Sequence, residues 1–231
     1  MLLRSALLEA ANAPGSSAAA WALRRAFDSI LGGDLDEPLA PVADAPPGDP
    51  FPVLDCSAGL PSDAPRWQVL DDVVMGGASS SAIAYDDASK AIVFSGNVTT
   101  AFNGGFASVR SLPWLGWAEL GRGGGVRLLV RGDGRTYKLN LKTDDSWDGV
   151  AWQADFQTAP QPPGAWQEVD LPFSVFRPQL RGRVVGGQAP LGGGRVRQLG
   201  LMVSKVSAAG GELAGFSEGP FSLAVRAVLG R

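Results

Sequence analysis

From residue 66 onward the sequence predicts an all-β sandwich, on three observations. Apolar residues recur with period two, the runs are short and punctuated by Gly and Pro, and no sustained helical period intervenes. The region ahead of it is different material. Leu2, Leu3, Ala6, Leu7 and Ala10 share a helical spacing until Ala13-Pro14-Gly15 breaks it. A second helix is predicted from Ser16 or Ser17 to the Gly32-Gly33 stop, with Leu23, Phe27, Ile30 and Leu31 on one face. Residues 1–33 thus read as an amphipathic helical segment. An organelle-transit peptide and a docking arm both fit it, since Arg4, Arg24 and Arg25 are offset by Glu9 and Asp28.

Residues 34–53 read as an acidic, Pro-rich linker. The stretch 34–65 holds seven acids, no Lys or Arg, and eight of the 17 prolines, too little apolar surface to order itself. The domain proper is assigned to 54–231. Within it Ala91-Ile92-Val93-Phe94 forms one strand. Val126, Leu128 and Val130 form another, then Gly132-Asp133-Gly134 turns the chain. Tyr137, Leu139 and Leu141 return on one face with Lys138, Asn140 and Lys142 on the other, which predicts a hairpin with a solvated basic side. Val169 and Leu171, then Leu199, Leu201 and Val203, then Phe221, Leu223, Val225 and Ala227 supply the remaining strands.

Composition excludes whole classes of chemistry. There is no histidine in 231 residues and one cysteine, Cys56, so Ser-His-Asp and Cys-His nucleophiles, a conventional zinc site and an intrachain disulfide are all ruled out. From Arg66 onward 17 basic residues face 14 acidic ones, too even a balance for a nucleic-acid surface. No apolar run approaches the roughly 20 residues of a membrane span.

Candidate sites are few. Asp71-Asp72 could share a proton, but adjacent strand residues point to opposite faces, and holding a turn through backbone N–H groups fits the pair better. Asp144-Asp145-Ser146-Trp147-Asp148-Gly149 with Asp155 at the twelfth position imitates a calcium loop, with strand-like flanks and too short a final acid. A polar hairpin tip explains the same residues and is favoured. Gly121–Gly125 and Gly192–Gly194 lack the Lys-Ser/Thr of a phosphate loop and read as flexible connections. Trp114, Trp117, Trp147, Trp152 and Trp166 suit either a sugar platform or the core, with core favoured for at least half.

The most distinctive runs are Trp67, Asp71-Asp72-Val73-Val74-Met75-Gly76-Gly77 with Ser79-Ser80, and Gly104-Gly105-Phe106-Ala107-Ser108-Val109-Arg110. With Gly132 to Tyr137, Trp166, Leu171 to Phe176, Leu199 to Met202 and Gly219 to Leu223, they resemble the complex I intermediate-associated protein 30 family over about residues 54–229. That resemblance implies a galactose-binding-like jelly-roll sandwich without catalytic residues, metal or cofactor. It also implies an assembly factor that binds subunits or intermediates of a membrane complex. For most members this is NADH:ubiquinone oxidoreductase on the matrix side of the mitochondrial inner membrane; relatives in photosynthetic organisms serve plastid complexes. Partner contact is then expected at Asp71, Asp72, Met75, Gly76, Gly77, Gly104, Gly105 and Phe106, with peripheral membrane association through the N-terminal helix. The weak targeting segment and the inserted stretch 112–125 depart from the family pattern. A permanent accessory subunit and a carbohydrate-binding module are the competing functions.

Overall fold

The computed structural model describes residues 49–231 apart from 145, 147, 163, 189, 190 and 192–195. The helices expected in 1–33, the junction at 33/34 and the run Gly192–Gly194 lie outside the described residues. The strands begin with β1 (Phe51–Asp55), β2 (Trp67–Val69), β3 (Ser80–Asp86), β4 (Ala91–Val98) and β5 (Phe106–Ser111). Next come β6 (Gly125–Arg131), β7 (Thr136–Lys142), β8 (Ala151–Gln157) and β9 (Gln167–Pro172). The last are β10 (Arg177–Leu180), β11 (Arg183–Val184), β12 (Gln198–Ser204) and β13 (Gly219–Gly230).

They form two antiparallel sheets, an all-β sandwich. One has the order β3-β4-β13-β6-β9, with β1 also on β13; the other runs β11-β10-β8-β7-β12-β5-β2. Alternation explains the core between them. Val126, Leu128 and Val130 of β6 and Leu223 and Phe221 of β13 face Tyr137, Leu139 and Leu141 of β7 and Leu199, Leu201 and Val203 of β12, all buried. Phe94 and Phe221 pack with ring centroids 4.8 Å apart, and Tyr137 stacks on Phe156 at 6.1 Å.

Four expectations need correction. β6 and β7 are not a hairpin: β6 pairs with β13 and β9, β7 with β8 and β12, so the Gly132–Gly134 turn carries the chain from one sheet to the other. Both strands still bury their apolar rows, because they face each other across the core instead of lying side by side. Asp133 fixes this corner by accepting hydrogen bonds from the Tyr137 hydroxyl at 3.0 Å and the Ser222 N–H of β13 at 3.0 Å. Lys138 and Lys142 are not solvated; each is 2% exposed. Gly121–Gly125 is a packed connection: Leu115–Arg122 winds into a 3₁₀ helix with Trp117 in the core, and a Cβ on Gly125 would sit 2.5 Å from the Leu171 carbonyl oxygen. Finally, β1 takes in residues 51–53 of the stretch read as linker and buries Val53 and Leu54, an apolar pair too short to stand out from its acidic surroundings.

Candidate functional site

Asp71 and Asp72 stand where β2 gives way to a 3₁₀ turn, Asp72–Met75. Their side chains diverge. Asp71 accepts the Ser81 N–H and hydroxyl, each at 2.7 Å, and the Ser108 N–H at 2.9 Å, which ties it to β3 and β5. Asp72 is wholly buried. Its Oδ1 accepts the Ser79 N–H at 2.9 Å, and its Oδ2 accepts the Ser79 hydroxyl at 2.7 Å and the N–H groups of Gly105 at 2.7 Å and Phe106 at 3.2 Å. Burial pushes this carboxyl up, but hydrogen bonds from Gly105, Ser79 and Phe106 outweigh it and hold the group below its ordinary range. One ionised carboxylate therefore clasps two loops, 72–79 and 101–106.

The glycine pairs follow from the clasp. A Cβ on Gly104 would lie 2.5 Å from Asp72 Oδ2, and one on Gly77 would collide with the Asp72 carboxyl carbon. Gly105, at φ +133°, would run into the aliphatic stem of Lys205. Gly76 closes the 3₁₀ turn at φ +90° and donates its N–H to the Asp72 and Val73 carbonyls. Asp72, Gly77, Gly104 and Gly105 are thus brought together inside the fold.

What the clasp displays is apolar. Val73, Val74 and Met75 are exposed on the first loop, Val74 at 76% and Met75 at 71%. Phe106 is half-buried at the start of β5, while Phe102 on the second loop is 78% exposed. Phe102 also holds φ 55°, ψ 38°, and Asn103 follows at φ 62°. A left-handed conformation is rare for a bulky side chain, and such strain collects where surfaces are used. Val73, Val74 and Phe102 escaped the sequence reading. The available signals were a β-branched pair with no strand period, and an aromatic just before the Asn103-Gly104 turn.

The other candidates disperse. Asp144 accepts the Ser146 N–H at 3.1 Å, Asp148 pairs with Arg181, and Asp155 accepts the Ala208 N–H at 2.8 Å; Asp145 and Trp147 lie outside the described residues. Among the described residues no three of the His, Cys, Asp or Glu side chains gather as a metal site, and no helix is long and apolar enough to cross a membrane. Trp117 and Trp152 are buried and Trp114 is half-buried. Trp166, also half-buried, is covered by the Arg226 guanidinium at 4.2 Å and that of Arg131 at 5.0 Å.

Comparison with solved structures finds the same sandwich in the family 11 carbohydrate-binding module of a Clostridium thermocellum cellulosomal cellulase. The TM-score is 0.51 at 16% identity, covering 80% of this chain and 96% of that one. Among curated proteins, the mitochondrial complex I intermediate-associated protein 30 of Drosophila melanogaster is 26% identical over 197 residues, 78% of this chain. The chain spans 62% of that relative's length. The sequence profile of complex I intermediate-associated protein 30 matches residues 57–225, from just after β1 well into β13 and across both clasped loops. This chain belongs to the complex I intermediate-associated protein 30 family.

Proposed function

We propose that the protein is a non-enzymatic assembly factor that holds subunits or intermediates of a membrane-bound electron-transfer complex, respiratory complex I at the matrix face of the mitochondrial inner membrane. The observation that carries this reading is the pair of loops clasped by Asp72, which present Val73, Val74, Met75 and Phe102 to solvent. Exposed apolar side chains on a rigid support suit a partner whose own apolar surface is not yet covered. Family membership and the name of the Drosophila relative support the choice of client and compartment. Every carboxylate at the clasp is engaged with backbone N–H or hydroxyl groups, so none of them serves as a general base there.

The test is a tagged-protein pulldown from gently solubilised mitochondrial membranes, resolved by native gel and mass spectrometry. Co-migration with complex I subcomplexes, absent from the finished complex and lost in Val74→Asp and Phe102→Ser, is the expected result. Retention in the mature complex would make the protein an accessory subunit instead. Absence from both would end the assembly reading.

A further inference from the structure

The edge of the seven-stranded sheet opposite to β2 is a hairpin of β10 and β11, with Arg181-Gly182 at its tip. Both tip residues are left-handed, Arg181 at φ 50° and Gly182 at φ 75°, the pattern of a tight two-residue turn. Asn, Asp or Gly is the usual choice at the first of these positions, and here a long cationic side chain takes it. The register pairs Gln179 with Val184 and Leu180 with Arg183. Alternation then sets Leu180 and Val184 on opposite faces of the ribbon, yet both are exposed, at 36% and 45%. The tip therefore projects past the sandwich, open on both faces. Gln179 anchors its base, buried and donating to the Ser207 and Ala208 carbonyls at 3.2 and 2.7 Å.

Charge and apolar surface coincide on this hairpin. Arg177, Arg181 and Arg183 are all exposed, and Val175, in the 3₁₀ turn just before β10, adds a third exposed aliphatic side chain. Arg177 donates through Nη1 to the Ser174 and Phe176 carbonyls, at 2.8 and 3.2 Å, which leaves Nε and Nη2 for another acceptor. Arg181 pairs with Asp148, an exposed ion pair that contributes little and can yield to another anion. Among the described residues no carboxylate pairs with Arg177 or Arg183. The sequence extends the bias: residues 171–211 include six basic side chains and no Asp or Glu. The near-even charge of the whole domain hides this run.

These features select the partner. Guarding an edge strand against pairing explains the arginines but not the three aliphatic side chains beside them. A free phosphate ion would use the arginines and leave Val175, Leu180 and Val184 in water. An acidic protein would need a cleft to enclose an apolar tip from both sides, whereas a lipid surface yields around it. Anionic lipid uses every part: guanidinium groups take headgroup phosphates in forked pairs, and the aliphatic side chains enter the boundary between headgroups and acyl chains. We propose that the β10–β11 hairpin, with Val175 at its base, docks the protein on a membrane rich in anionic phospholipid. Six strand spacings, roughly 29 Å, separate β11 from β2 at the other edge of the sheet. The surface is separate from the clasped loops and does not rest on the assembly reading.

The test is flotation of the full chain with phosphatidylcholine vesicles, with or without phosphatidylglycerol, and with inorganic phosphate and poly-glutamate as soluble probes. Arg183→Glu and Leu180→Ser change exposed side chains, so their thermal midpoints should match the wild type. Binding to the phosphatidylglycerol vesicles alone is expected, falling with added salt and weakened about tenfold or more in Arg183→Glu. Leu180→Ser should weaken it too, and Phe102→Ser should bind normally. Val184→Cys labelled with nitrobenzoxadiazole, while Cys56 stays buried from the label, should shift its emission to the blue on the same vesicles. No vesicle binding, equal binding to neutral vesicles, equal binding by the two hairpin variants, an unmoved label, or capture of phosphate or poly-glutamate in the vesicles' place would overturn the proposal.

Discussion

Asp72 shows how much a single side chain holds. It receives four hydrogen bonds from three residues on two loops, with no water to replace them. Asp72→Asn keeps the shape but turns one acceptor into a donor aimed at other donors, and should cost about 3 kcal/mol in urea denaturation. The effect has a pH signature. The folded pKa lies below that of the unfolded chain, about 3.9, so between the two values the unfolded state binds more protons. The stabilisation is complete above about 3.9 and is lost as pH falls through the folded value, so wild type and Asp72→Asn should converge in acid. Phe102 presents the opposite balance. Its left-handed backbone costs roughly 1 kcal/mol, which Phe102→Asn should recover, since Asn tolerates that region. The same variant should lose client capture. Higher thermal midpoint with weaker pulldown is the expected pair of readings.

At the scale of elements, the two loops and the strands they join obey different rules. The loops tolerate no added atom near the carboxylate. Gly104→Ala should destabilise by about 2 kcal/mol, whereas Gly186→Ala, with open space around it and an ordinary φ, should be neutral or gain a few tenths. Parallel chemical denaturation of the two variants decides this. The strands were legible in sequence because burying one face leaves a period-two trace, as in Val126, Leu128 and Val130 or Leu199, Leu201 and Val203. Their pairing was not, since β6 and β7 leave the same trace whether they bond to each other or meet across the core. The Asp pair could be read as a turn holder from its adjacency alone. Phe102 could not be placed, because an exposed apolar residue creates no pattern. Lys138 and Lys142 misled for a related reason: nothing in β7 tells what lies over its outer face. Part of that cover is the turn after β12, where the Ala208 carbonyl accepts Gln179 Nε2 at 2.7 Å and the Ala208 N–H reaches Asp155.

For the whole molecule, the single thiol is a gauge of global opening. Cys56 is fully buried, its N–H bonds to the Arg226 carbonyl at 2.9 Å, and burial, reinforced by the Asp55 charge, pushes its pKa up to about 11. Labelling by iodoacetamide near neutral pH should proceed only as fast as the domain unfolds, and accelerate in Asp72→Asn by the factor that its lost stability sets. Fast labelling of the native protein would mean that β1 opens by itself. β13 makes that outcome unexpected. Its first half bonds to β4, its second half to β6 on one side and β1 on the other. This strand is also translated after the other twelve. On the ribosome β1 must wait for about the whole length of the domain before its partner emerges, and β4 and β6 meanwhile show unpaired edges. The six-stranded sheet therefore stays open until β13 has emerged. On the proposed assembly role, a protein that shields incomplete subunits would begin its own life as an incomplete sheet in need of the same protection.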